Sequence, residues 1–265
     1  MTAIKERYDK IYLSPHLDDV VLSCGGQIFL HTAGGEDVLV VTLAAGEPQS
    51  EVRSVFAEFL HHNWGLDAEE VIRVRREEDA AALQSLGADL LHWSLPDCIY
   101  RVHPESGEPL YASEEAIFGA IDPAESDLRD ALAEQMKALP PADQIIVPLG
   151  AGHHVDHQLT RAAAERAFDN LLYYEDYPYV QRDAGAVAQL TTPSAAWQPV
   201  HISLPEEAVA ARLQAVLRYD SQIKMLFNSR EALARLLQAY MTQIGGERLW
   251  RRVSTQIDKE ESALG

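Results

Sequence analysis

Short apolar runs alternate with longer stretches of helical spacing along most of this chain. Residues 11–14, 37–43, 90–93, 144–147 and 171–174 are brief and apolar on both faces, which predicts strands buried on both sides. Between them, 20–33, 52–62, 74–86, 126–139 and 158–169 have the length and spacing of helices. Gly34-Gly35 and Gly87 stand where helix C-caps belong. Residues 200–203 predict an edge or extra strand, and 206–218 and 230–244 two further helices. The stretch 97–122 is polar and aperiodic, with Pro104, Gly107 and Pro109; a loop this long in a compact domain is often functional. Strands alternating with helices predict an α/β fold with a mainly parallel sheet covered by helices.

Two predicted strand ends carry acid-rich histidine clusters. The first strand runs into SPHLDD, residues 14–19, supplying His16, Asp18 and Asp19. The fourth runs into GHHVDH, residues 152–157, supplying His154, Asp156 and His157. Strand ends are where open α/β sheets place their ligands. Two imidazoles and a carboxylate can hold a catalytic Zn2+ with one position left for water. A remaining carboxylate can take the proton from that water. Each half alone has a bland explanation, since an Asp pair between strand and helix often only caps the helix. Together, at equivalent places in the strand–helix pattern, they read as two halves of one metal site.

Composition narrows the function classes. The length of 265 residues suits a single domain, 1–265. Lys+Arg 22 against Asp+Glu 41 leaves a net charge of −19, which argues against nucleic acid as a partner. No apolar run is long enough to cross a membrane, and the first residues lack a signal-peptide pattern. Cys24 and Cys98 form no CxxC and fit free thiols in the cytoplasm. The first βα turn lacks GxGxxG, so the expected Rossmann-like sheet carries no dinucleotide fingerprint; no P-loop or GxSxG is present.

At these residues the chain resembles the LmbE-like (PIG-L) family of metal-dependent sugar de-N-acetylases. The family's Pro-His-Pro-Asp-Asp-Glu stretch, running into a Gly-Gly helix, is here PHLDDVVLSCGG, residues 15–26. Its His-x-Asp-His motif is His154-Val155-Asp156-His157. Its Arg-x-x-Glu helix ending in Leu-Gly matches Arg75, Glu78, Leu86 and Gly87. LPDCIYR (95–101), YYEDYPY (173–179) and Tyr219-x-Ser221-Gln222 resemble one branch of the family. Two positions depart from the pattern: Leu17 replaces the second Pro and Val20 the Glu. Neither is a ligand in the family, although Val20 removes a carboxylate from beside the site.

The resemblance implies His16, Asp19 and His157 as ligands of one metal per chain, Zn2+ or another divalent ion such as Fe2+. It implies Asp18 as general base. The oxyanion then needs a donor, and His154, oriented by Asp156, is the natural one. Arg75, Asp97 and Arg101 are expected to face the same cavity and bind substrate. Glu175 and Asp176, after the fifth strand, either bind polar substrate or cap a turn. The expected substrate is a small N-acetylglucosamine-like sugar or glycoconjugate; a homo-oligomer is possible. The competing readings are an amidase on another thiol- or sugar-conjugate, a non-haem Fe(II) oxygenase sharing the two-His, one-carboxylate set, and a catalytically silent sugar-binding module.

Overall fold

The computed structural model describes residues 4–48, 53–65, 68–183 and 185–253. The predicted helix over 52–62 begins at residue 52, outside the described residues.

The elements follow in the order β1 (Tyr8–Ser14), α1 (Asp19–Ala33), β2 (Val38–Thr42), α2 (Val55–Trp64), α3 (Ala68–Ser85), β3 (Asp89–His92), α4 (Glu114–Ile117), α5 (Ser126–Lys137), β4 (Ala142–Pro148), α6 (Val155–Ala167), β5 (Leu172–Tyr174), α7 (Tyr179–Arg182), α8 (Ala186–Leu190), β6 (Trp197–Ile202), α9 (Glu206–Val216), α10 (Asp220–Phe227), α11 (Arg230–Ile244) and β7 (Glu247–Arg252). The strands form one seven-stranded sheet in the order β3-β2-β1-β4-β5-β7-β6. The first five are parallel to one another, and β7 runs antiparallel to both β5 and β6. This is the α/β, mostly parallel architecture the alternation predicts.

The strands are apolar on both faces because both faces are covered. Tyr12, Val38 and Val40 face a core shared with α1, α3, α9 and α11. Ile11, Leu13, Leu39 and Val41, one residue out of phase, face a core built with α5 and α6. Leu17 and Val20, the two departures from the family pattern, are fully buried apolar residues.

Strand order reverses between β1 and β4, the switch point at which such sheets open a crevice beyond their strand ends. Both histidine motifs leave the sheet there, and the 149–154 connection is shaped to fit. Gly150 and Gly152 adopt positive φ, 86° and 83°. A Cβ on Gly152 would stand 2.7 Å from the Tyr179 side chain, so only glycine fits.

Some elements differ from the sequence pattern. Helix α3 begins at Ala68, six residues ahead of the periodic stretch, through Glu69 and Glu70. Helix α10 and strand β7 carry no clear pattern of their own. Strand β7, ERLWRR, is rich in charge, yet Glu247 and Leu249 are buried. Glu247 accepts hydrogen bonds from the Gly26 and Gln27 N–H groups (2.8 and 3.0 Å) and lies 3.1 Å from Arg212, so its burial is compensated. The 97–122 stretch is not a featureless loop: Cys98–Tyr100 forms a 3₁₀ turn, and Ile99, Tyr111 and Ile117 build a small core with Val71, Ile72 and Val155.

Candidate metal centre and active site

The carboxyl ends of β1, β4 and β5 bring together side chains far apart in sequence. His16 follows β1; Asp18 stands at the N-cap of α1, but its carboxylate makes no hydrogen bond to the helix. The cap interaction comes instead from Ser14 Oγ, which accepts from Val20 N–H at 3.2 Å. The helix-cap explanation for Asp18 therefore fails, and its carboxylate is left to face the cavity.

Asp19 Oδ2 lies 3.1 Å from His16 Nδ1 and 3.2 Å from His157 Nε2, and accepts from the His16 N–H at 2.9 Å. Donors bound tetrahedrally to one ion at ~2.1 Å stand ~3.4 Å apart, so each imidazole already stands near ligand spacing from Asp19. His157 is fully buried and its Nε2 has no hydrogen-bond partner. A buried imidazole nitrogen left unpaired beside a carboxylate fits a metal ligand. The far nitrogen of each histidine rests on a second carboxylate: His16 Nε2 on Asp156 Oδ2 at 3.0 Å, and His157 Nδ1 on Asp176 Oδ1 at 2.6 Å. Such carboxylate–imidazole pairs orient metal-binding histidines.

His154 also stands at this floor. His16, His154 and His157 bring ligand nitrogens within 4.8 Å of one another. His154 Nδ1 accepts from the Asp156 backbone N–H at 3.3 Å, which leaves Nε2 to carry the proton toward the cavity. Burial, reinforced by the His16 charge, holds His154 well below the usual imidazole range, so it is neutral. Burial and then the adjacent Asp19 charge push Asp18 up to about 7, against the pull of Arg75. Two adjacent carboxylates thus differ in character, because Asp19 is held well below its ordinary range by His157 despite its burial.

The geometry corrects two sequence expectations. The Asp156 carboxylate does not orient His154. It orients His16, accepts from Cys98 N–H at 3.0 Å and pairs with Arg101 at 2.6 Å. Arg101 does not face the metal-side cavity. Its guanidinium is spent on Asp156, on Glu125 at 2.5 Å and on the Pro96 carbonyl at 3.2 Å, behind the floor. Arg75 and Asp97 do line the cavity with His16 and Asp18. Arg75 stands 3.8 Å from Asp18 and 4.0 Å from Asp97, and its buried Nε has no partner.

Asp176 is the residue whose part the sequence left open. Besides His157, it accepts from the Gly150 and Ala151 N–H groups at 2.8 and 2.9 Å, tying the β4 turn to β5. Its available signal was a third acid placed directly after a strand. Neighbouring Glu175 points away, to Tyr240, Arg248 and Trp250.

The cavity encloses about 290 Å³, comparable with small-ligand sites. Its outer wall comes from α2 and α10, and its opposite side from Phe118, Pro178, Tyr179 and Arg182.

Comparison with known proteins agrees with this construction. Residues 11–168 match the PIG-L family, described as GlcNAc-PI de-N-acetylase. A 2'-N-acetylparomamine deacetylase of Niallia circulans is 26% identical over 237 residues, 82% of each chain. A 1D-myo-inositol 2-acetamido-2-deoxy-alpha-D-glucopyranoside deacetylase of Corynebacterium glutamicum is 30% identical over 154 residues, 56% of this chain and 50% of that one. The solved zinc-inhibited form of the teicoplanin deacetylase Orf2 superposes with a TM-score of 0.77 at 30% identity, covering 94% of this chain and 99% of that one. A metal-binding floor at the sheet's switch point, both histidine motifs in place on it, and a family match across both motifs lead to one assignment: this chain belongs to the PIG-L family of de-N-acetylases, which are hydrolases.

Proposed function

We propose that the chain removes the acetyl group from the amide nitrogen of an N-acetylglucosamine-like sugar or glycoconjugate, with one Zn2+ held by His16, Asp19 and His157. The observation that carries this is the Asp19 carboxylate lying between two buried imidazoles while the next carboxylate, Asp18, stays unspent. When bound, the metal would lower the pKa of its water to about 7 and polarise the amide carbonyl.

The chain's own residues supply the remainder. Asp18 accepts the proton of the attacking water, and as the C–N bond of the tetrahedral adduct breaks, Asp18 or His154 returns a proton to the leaving amine nitrogen. The neutral His154 donates from Nε2 to the oxygen on which negative charge develops. Asp156 and Asp176 hold the two imidazoles in their tautomers. Arg75, 3.8 Å from Asp18 with an unpaired Nε, is placed to hold a polar group of the substrate or the departing acetate. Asp97, 3.7 Å from His16, is placed to accept from sugar hydroxyls. Arg101 acts through Asp156 as a positioning residue.

A silent sugar-binding module would have no use for a carboxylate left unspent by the helix it precedes and facing the cavity beside a metal site. No described helix is long and apolar enough to cross a membrane, and Cys24 and Cys98 are free and buried.

The test is metal analysis together with acetate release from a panel of N-acetyl sugars, using protein loaded with Zn2+ or Fe2+. One metal per chain and stoichiometric acetate are expected. Metal bound at full stoichiometry with no acetate from any member would refute the deacetylase reading.

A further inference from the structure

Behind the floor lies a second layer of buried charge. Arg101, Glu125 and Asp156 are only 7%, 3% and 2% exposed. A buried ion cluster adds little net stability over well-packed apolar residues, so holding the fold together is a weak reason for this one.

Glu125 is withheld from its local use. It stands at the N-cap of α5, yet its carboxylate makes no hydrogen bond to that helix. It turns instead to Arg101. Oε1 accepts from Arg101 Nε at 2.5 Å and Oε2 from Nη2 at 3.2 Å, a two-pronged grip that fixes the plane of the guanidinium. Oε2 also accepts from the Tyr111 hydroxyl at 2.6 Å. That hydroxyl accepts from Asp122 N–H at 2.8 Å, and Arg101 lies over the Tyr111 ring at 5.5 Å. The end of the 97–122 stretch is thus folded back onto its beginning, with Glu125 as the clasp.

The grip matters because of what Arg101 holds on its other side. Arg101 Nη1 donates to Asp156 Oδ1 at 2.6 Å, and Asp156 Oδ2 meets His16 Nε2 at 3.0 Å. One guanidinium therefore serves two carboxylates. Glu125 takes up part of its charge, which leaves Asp156 free to hold His16. Without Glu125, Asp156 would be the one carboxylate paired with Arg101 among the described residues, and charge would be drawn out of the His16 contact. The guanidinium would also have room to turn outward, into the groove lined by Pro96, Tyr100, Arg101, Leu110 and Glu125. Either change loosens the His16 ring, whose Nδ1 faces Asp19.

We propose that Glu125 is a positioning residue for the metal site: it fixes the Arg101 guanidinium so that Asp156 holds His16 in its ligand orientation. The inference rests on the reading of His16 as a metal ligand and, for Glu125 itself, on the hydrogen-bonded chain from Tyr111 to His16.

The test reads Zn2+ affinity by competition with a chelator, without turnover, alongside unfolding in denaturant. A carboxylate touching a ligand is worth about 10–100-fold in metal affinity; Glu125→Gln, one step further out, should cost about five- to tenfold. Tyr111→Phe removes one hydrogen bond to the same carboxylate and should cost about two- to threefold; it carries the test if Glu125→Gln does not fold. Arg101→Met and the double variant Arg101→Met/Glu125→Gln close a cycle. If Glu125 acts through Arg101, the double variant binds Zn2+ no more weakly than Arg101→Met alone. Glu247→Gln controls for general loosening. It breaks a buried pair with Arg212 away from the floor, so it should lower fold stability and leave Zn2+ affinity within about twofold. Unchanged affinity in Glu125→Gln, or in Tyr111→Phe where that variant must stand in, would overturn the proposal. So would additive losses in the cycle, or a loss in Glu247→Gln as large as in Glu125→Gln. Where wild type takes up one Zn2+ that His16→Ala loses, these results remove only the part given to Glu125. Zn2+ binding undiminished in His16→Ala removes the ligand reading, and the proposal with it.

Discussion

The floor of the cavity and its outer wall are both conspicuous, for opposite reasons. At the floor, polar groups are buried and nearly all paired: His16 on Asp19 and Asp156, His157 on Asp176, Asp156 on Arg101. At the wall, Phe59 and Met225 are left partly in water. Burying charge is costly unless partners are arranged in advance, so the floor is rigid and specialised for one chemistry. Exposing a few apolar side chains costs the fold little, so the wall is free to vary. The two regions are thus built on different physical terms, and substitution separates them.

The largest effects belong to the floor. His16→Ala and His157→Ala each remove an imidazole that Asp19 faces; metal content should fall close to zero and acetate release below detection, read by metal analysis alongside an acetate assay. Full metal occupancy in either variant would reassign the ligand.

Asp18→Asn comes next. The side chain keeps its size, so metal should stay while turnover drops by about 10²–10⁴. With the Asp18 carboxyl at about 7 before any cation pulls it down, the active form is the deprotonated one; wild-type rate should decline as pH falls through a limb at or below about 7. That limb should vanish from the pH profile of the variant. A variant that turns over at the wild-type rate would return Asp18 to a structural role.

Asp176→Asn should act more gently. It keeps the shape but weakens the hold on His157 and on the Gly150 and Ala151 N–H groups, and metal affinity should fall about 10–100-fold in competition with a chelator. Unchanged affinity would mean that His157 is oriented by its burial alone.

The smallest effect on the fold belongs to the wall. Phe59→Asn, at a half-exposed position, should change unfolding free energy by no more than about 0.5 kcal/mol in a denaturant titration. A loss of several kcal/mol would show that Phe59 serves the fold and that floor and wall are less separate than drawn.

Much of this was legible along the chain. Short two-faced apolar runs between helical stretches foretell a covered parallel sheet, because a strand buried on both sides has no polar face to show. The spacing inside His16–Asp19 and His154–His157 foretells a metal floor, because residues within one turn share a direction whatever the fold does elsewhere. Tertiary structure decided the pairings between elements. His16 and Asp156, 140 residues apart, meet only because β1 and β4 are neighbours in the sheet. The same adjacency gives Asp156 to His16 rather than to His154, and draws Arg101 behind the floor instead of into the cavity. Asp176 acquires its part from the β4–β5 pairing, and the charged strand β7 is buried only because Arg212 and the α1 backbone meet Glu247. A side chain's local spacing sets which way it can face; which partner awaits it there depends on contacts that sequence neighbours do not encode.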